Sequence, residues 1–167
     1  MANIDNPNGF RPVVTLIGQG FPMWEGLIRS NSLVSTGDAL FATAGYIVPI
    51  SATTVDKMPL GVAVTPVTTS VTRRVSMLFY PAVDWYIFEG QTSGAMTQAK
   101  VWTLCDIEGA RGTQEVNEDA RTLSQMIIVG VTPGTSFGTW ARVRFVFSKS
   151  KFTGKQGGTA AAILWGA

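Results

Sequence analysis

Histidine is absent from this 167-residue chain. Its absence removes the commonest general base and the commonest metal ligand, and with them every Ser-His or Cys-His nucleophile arrangement. Cysteine is almost absent as well. The lone thiol, Cys105, excludes an intrachain disulfide and leaves zinc without the Cys/His sets that bind it. Within Val101-Trp102-Thr103-Leu104-Cys105 it reads as a small buried hydrophobe rather than a nucleophile, because no charged partner adjoins it. No apolar run approaches the ~20 residues that span a bilayer. The opening Met1-Ala2-Asn3-Ile4-Asp5 has neither the basic n-region nor the apolar h-region of a signal peptide. The expectation is a soluble product made in the cytoplasm, with no membrane partner.

Charge is scarce. Charged residues make up 14% of the chain, against a typical ~25%, while hydrophobic residues reach 46%. Glycine, at 18 residues, contributes no side chain to a core. A surface so short of charge invites association, which favours extensive burial between subunits over the alternative of a large core. The net charge of +2 is unevenly distributed. Residues 84–119 carry Asp84, Glu89, Asp106, Glu108, Glu115, Glu118 and Asp119 against only Lys100 and Arg111. Residues 120–167 carry no acid, only Arg121, Arg142, Arg144, Lys149, Lys151 and Lys155. Opposite blocks in one chain predict either internal pairing of surfaces or head-to-tail contact between copies. The basic block is too sparse, and too poor in interleaved aromatics, for a nucleic-acid arm.

Motifs that carry chemistry are missing. There is no Walker A sequence, and Gly18-Gln19-Gly20 lacks the third glycine and following helix of a dinucleotide loop. Paired carboxylates cleave glycosides without histidine, yet Asp106/Glu108 and Glu118-Asp119 have no pocket-forming context and read as solvated loop acids. No calcium loop is present. The chain is therefore expected to have no catalytic residues, cofactor or metal.

What remains is a β-rich chain. Residues 1–12, with Pro7, Pro12, Gly9 and three asparagines, form an extended arm, since proline pushes its predecessor out of the helical region and Asn-Gly supplies turn geometry. Residues 13–148 form one domain with strands at 13–17, 24–29, 39–43, 46–50, 60–65, 74–80, 85–89, 101–105, 125–132 and 139–148. In the last of these, alternation puts Ala141, Val143, Phe145 and Phe147 on one face, and Arg142 and Arg144 on the other beside Trp140 and Val146. Only 95–100 reads as a helical turn. Short strands without intervening helices predict an all-β antiparallel barrel or sandwich, with a jelly roll among the candidate topologies, carrying extended N- and C-terminal arms. Residues 149–167 are a Gly-rich linker followed by the apolar Ile163-Leu164-Trp165. Trp24, Trp85, Trp102 and Trp140 could stack on sugars, but core positions suit most of them better.

The opening Ala2-Asn3-Ile4-Asp5-Asn6-Pro7-Asn8-Gly9-Phe10-Arg11-Pro12-Val13 resembles the Ala-Asn-x-Asp-x-Pro-x-Gly-Phe-x-Pro-Val start of tailed-bacteriophage structural cement, or head decoration, proteins. Pro59-Leu60-Gly61-Val62-Ala63-Val64, Tyr86-Ile87-Phe88-Glu89, Ile127-Ile128-Val129-Gly130-Val131 and Trp140-Ala141-Arg142-Val143 are similar as well. The resemblance spans residues 2 to about 148; the tail after Lys149 goes beyond it. It implies a capsid accessory protein on the exterior of the phage head, made in the host cytoplasm, with the major capsid protein as partner. The expected contacts are Pro7, Phe10, Arg11 and Pro12 in the arm, Arg142 and Arg144 on the basic face, and Ile163, Leu164 and Trp165 in the tail. Self-association, as a trimer rather than a dimer, follows from the charge segregation and from the three-fold junctions of icosahedral lattices. The alternative is a tail or baseplate β-module that contacts the host surface.

Overall fold

Runs of β-branched and aromatic residues punctuated by glycine and proline become antiparallel strands in the structure, a computed structural model that describes residues 3–6, 8–16, 18, 20–50, 58–69 and 75–152. In chain order the strands are β1 (Arg11–Thr15), β2 (Trp24–Leu27), β3 (Leu33–Val34), β4 (Ala39–Thr43), β5 (Tyr46–Pro49), β6 (Gly61–Ala63), β7 (Val67–Thr68) and β8 (Ser76–Pro81). They continue as β9 (Tyr86–Gln91), β10 (Ala95–Met96), β11 (Leu104–Glu108), β12 (Glu115–Asn117), β13 (Met126–Val131), β14 (Gly138–Thr139) and β15 (Arg142–Phe147). The single helical element among the described residues is a 3-10 turn, Gln98–Lys100. None of their helices is long and apolar enough to cross a membrane.

Two sheets make a sandwich-like all-β fold. One has the order β1-β9-β15-β13-β11-β12 and the other β2-β8-β6-β4-β5; β3-β7 and β10-β14 are two-stranded accessories. Strands within 24–81 build the second sheet apart from the β3-β7 pair, and the first takes β1 plus everything from β9 onward apart from the β10-β14 pair, so the halves of the chain segregate rather than interleave as in a jelly roll. Neither sheet closes into a barrel. Each curls until its two sides touch at one parallel bridge, Thr92 with Val116 in the first sheet and Ile28 with Ile47 in the second. These contacts leave a seam in each sheet.

Alternation decides what the sheets bury. On β15, Val143, Phe145 and Phe147 are buried while Arg142, Arg144 and Val146 are half-buried, as a period of two requires. They join Phe88, Tyr86, Ile128, Met126, Cys105 and Val116 from the first sheet, and Phe41, Ala39 and Val62 from the second, in the larger core. Phe88 stacks on Phe145 and sits edge-on to Phe147 at 5.0 Å. The opposite face of the second sheet lines a smaller core of Ile28, Val34, Leu40, Ile47, Ala63, Met77 and Phe79. Each such side chain contributes about 1.5–3 kcal/mol when fully buried. Cys105 is a buried filler whose Sγ lies 3.6 Å from the Met126 carbonyl, and burial pushes its thiol pKa upward.

Candidate functional site

The N-terminal residues lie on their own domain. Gly9 and Gly37 both adopt left-handed φ, +70° and +84°, and pass so closely that a Cβ on Gly9 would sit 2.5 Å from the Gly37 carbonyl oxygen. The Phe10 amide donates to that oxygen at 2.8 Å. The crossing turns Phe10 inward. It is 2% exposed, packs edge-on against Phe145 at 5.2 Å, and fills space left open by Gly90, where a Cβ would meet the ring at 2.6 Å. Phe10 is thus a core residue of its own chain, which corrects the expectation that it anchors on a partner. Pro7 lies outside the described residues. Arg11 opens β1, and Pro12 sits at an irregularity of the β1–β9 register between Pro12 and Val14, a position an edge strand tolerates.

Beyond Phe10 the chain covers the outer face of the first sheet. Glu89, buried there, takes Arg11 Nη2 at 2.7 Å, Arg142 Nη1 at 3.7 Å and the Thr132 hydroxyl at 2.9 Å. Arg144 stands opposite Glu89 in the β15–β9 register, with a buried Nε that has no partner among the described residues. Arg142 also donates to the Asn6 carbonyl at 3.3 Å. Gln91 is the second hub. Its Oε1 accepts from the Asn6 amide at 2.8 Å, and its Nε2 donates to Asp5 at 2.8 Å and to Glu115 at 3.1 Å. Residues 3–6 therefore lie over the seam where β9 approaches β12. Asn3 ties them further by donating to the Ser136 and Thr139 carbonyls.

Glu115 has a raised pKa, chiefly through burial, with Asp5, Glu108 and Glu118 adding like charge and Gln91 opposing. An acid whose folded pKa is raised stabilises the fold fully below the unfolded value of about 4.3, and that contribution is lost as pH rises through the folded value. Glu115→Gln should therefore gain stability relative to the parent as pH rises from about 4 to 7. Urea midpoints of the two proteins at both ends of that range test it; a constant difference would contradict it.

Among the described residues one ion pair joins the two charge blocks, and those of Lys100 stay within the acidic block. Glu89, from the acidic block, holds Arg142 from the basic one. Lys149 donates to the Leu123 carbonyl at 2.5 Å. Lys100 bridges Glu118 and Asp119 at 3.3 and 2.8 Å. Asp106 and Glu118 are buried rather than solvated, which corrects the reading of them as loop acids. Asp106 accepts the Leu123 and Ser124 amides, and Glu118 accepts the Gly94 amide. No group of three or more acids or cysteines placed to hold a metal ion occurs among the described residues.

Sequence reasoning missed the tryptophans. Trp24, Trp85, Trp102 and Trp140 are 50%, 41%, 63% and 40% exposed, not buried in the core. Trp102 and Trp140 also hold left-handed φ of 64° and 55°, a conformation that bulky residues rarely adopt. Trp140 lines an open groove of about 310 Å3 with Asn3, Ile4, Asn6, Thr135 and Arg142. Ile4, 80% exposed, and Phe137 extend the apolar surface beside it. Alternation had already placed Trp140 on the arginine face; no local pattern marks the other three. Ile163, Leu164 and Trp165 lie outside the described residues.

No family model and no curated protein matches the chain. Among solved structures, it is similar to the head fiber gp8.5 N base of bacteriophage phi29, at 21% identity over 78% of this chain and 98% of that one, with a TM-score of 0.46.

Proposed function

We propose that this protein is a non-enzymatic structural component of a tailed-phage virion, which binds the outer surface of the head and stabilises it by bridging capsomers. The observation that carries the reading is the exposure of Trp85, Trp102 and Trp140 on a chain with so little charge. Tryptophan is the residue most enriched at binding hot spots, and leaving it in water forgoes burial the fold could have used. Two of the three hold strained backbone as well, which a fold retains where the side chain is used. The phage-head assignment comes from the opening motif. Its Gly9 and Phe10 are the residues that lock this chain onto its domain.

The groove beside Trp140, lined by Arg142, is the contact for the major capsid protein, and Arg11 shares Glu89 with Arg142. A shell under internal pressure separates at seams between capsomers. A subunit that buries area on two of them at once raises the cost of separation, and many copies multiply modest affinities. A trimer at local three-fold positions suits that task.

Trp140→Gly separates binding from folding. Glycine relieves a left-handed strain of about 1–2 kcal/mol and adds a comparable unfolded-state entropy, so stability should hold within about 1 kcal/mol. Loss of a hot-spot ring costs about 2 kcal/mol or more of binding, roughly 30-fold in affinity. Co-sedimentation of both proteins with purified undecorated heads reads this out. Failure of the parent protein to sediment with heads would refute the proposed function, and equal binding by the variant would remove Trp140 from the contact.

A further inference from the structure

The two seams differ in their cover. That of the first sheet lies beneath residues 3–6, through Asp5 and Asn6 on Gln91 and Gln91 on Glu115. That of the second sheet, between β2 and β5, has no such cover among the described residues. There β2 pairs with β8 alone over Trp24–Leu27. The Ile28 amide points to β8, donating to the Val75 carbonyl at 2.9 Å, while the Arg29 amide points the other way to the Ile47 carbonyl at 3.1 Å. By the same period of two, the amides of Glu25 and Leu27 face away from β8, toward the seam. An unpaired strand edge of this kind is a template for another strand.

Its side chains ask for cover on both faces. Trp24, opposite Phe79 on the inner face, and Leu27, on the outer face with Leu78, are all exposed except Phe79. Met23, just before β2, is 49% exposed. A lid on one face would leave the other wet, whereas an added strand presents alternate side chains to both.

We propose that residues 159–165 of the same chain add along the free edge of β2, with Ile163, Leu164 and Trp165 covering Trp24, Leu27 and Leu78. The last described residue places the segment there. Phe152 packs edge-on against Trp24 at 4.7 Å, and the Lys151 amide donates to the Pro59 carbonyl at 3.1 Å. From Phe152 the stretch 153–158 reaches at most about 20 Å, which keeps the start of the apolar segment close to β2. A tether that short gives a local concentration in the millimolar range, so the chain's own segment outcompetes a second copy. Lys155 lies in that stretch, and the one charge on β2 is Glu25.

Hydrogen–deuterium exchange on the full chain and on a form lacking residues 153–167 tests this. The amides of Glu25 and Leu27 should exchange at least about tenfold faster in the truncated form, while that of Gly26, bonded within the sheet, stays protected and reports that the fold is intact. Ile163→Asp with Leu164→Asp in the full-length chain should reproduce the effect. Equal exchange at Glu25 and Leu27 in both forms would overturn the proposal. So would protection that disappears on dilution together with a multimeric mass by light scattering, which would place the segment on a second copy.

Discussion

Phe10→Ala should destabilise the fold by about 3–5 kcal/mol, the range for truncating a buried phenylalanine. For a domain of this size that is a fall in Tm of roughly 6–20 °C. The ring is enclosed by Phe145 and by the space over Gly90, and the Phe10 amide is fixed on Gly37, so little can collapse into the hole. Ile4→Ala, at a side chain 80% exposed, is the control and should change stability by no more than about 0.5 kcal/mol. Thermal and urea unfolding of the three proteins compare them directly. The same geometry decides the outcome of deleting residues 2–12. Such a deletion removes Phe10 and the first residues of β1, so the expected outcome is an unstable fold rather than a folded protein that only binds poorly. A Phe10→Ala protein as stable as its parent would show that the ring is not seated in its own core.

Gln114→Leu is the second large effect. This side chain is completely buried where β12 meets the other sheet. Its Oε1 accepts from the Ala39 amide and its Nε2 donates to the Ile50 carbonyl, both at 2.5 Å. Ala39 and Ile50 already bond to each other through the Ile50 amide and the Ala39 carbonyl, at 2.7 Å. The Gln114 amide therefore serves as an extra rung that joins the two sheets. Leucine keeps the volume and leaves one donor and one acceptor unpaired in a dry site. At about 1–3 kcal/mol for each, the loss is roughly 2–6 kcal/mol. Chemical denaturation measures the loss, and exchange at the Ala39 amide should rise with it. A leucine variant within about 0.5 kcal/mol of the parent, the bound for neutral sites, would contradict this role.

Parts of this architecture are legible in the sequence for a plain reason. Where one face of a strand is buried and the other is not, a period of two is written into the residues. β15 shows it, with Val143, Phe145 and Phe147 inside and Arg142 and Arg144 outside. β4 falls at its expected bounds, and β2, β5, β8 and β9 lie close to theirs. The pairs Leu33–Val34, Val67–Thr68, Ala95–Met96 and Gly138–Thr139 are too short to carry a period. The run 101–105 misleads because Trp102 turns through a left-handed φ and the strand starts only at Leu104. β12 hides for a different reason: Glu115 and Asn117 flank a single inward Val116, which looks like a polar loop.

The opening motif shows the limit most clearly. Prolines and a glycine predict an extended arm, and residues 3–6 and 8–10 carry neither helix nor strand before β1 begins at Arg11. Where the arm goes depends on Gly37, whose close approach to Gly9 no local pattern encodes. The tryptophans fail in the opposite sense. Their apolarity argues for a core position, but Trp24 sits on an edge strand, where Phe152 covers it only in part, and Trp102 and Trp140 sit in turns that leave them exposed. The arm is thus chiefly a fold device, and the contact proposed above falls on the exposed indoles of Trp85, Trp102 and Trp140.

The most direct test is averaged cryo-EM density of particles assembled with and without this protein. The account predicts extra density on the outside of the head, spanning neighbouring capsomers, into which the described domain fits with the Trp140 groove against the shell. Density confined to the tail or baseplate, or heads identical with and without the protein, would contradict it.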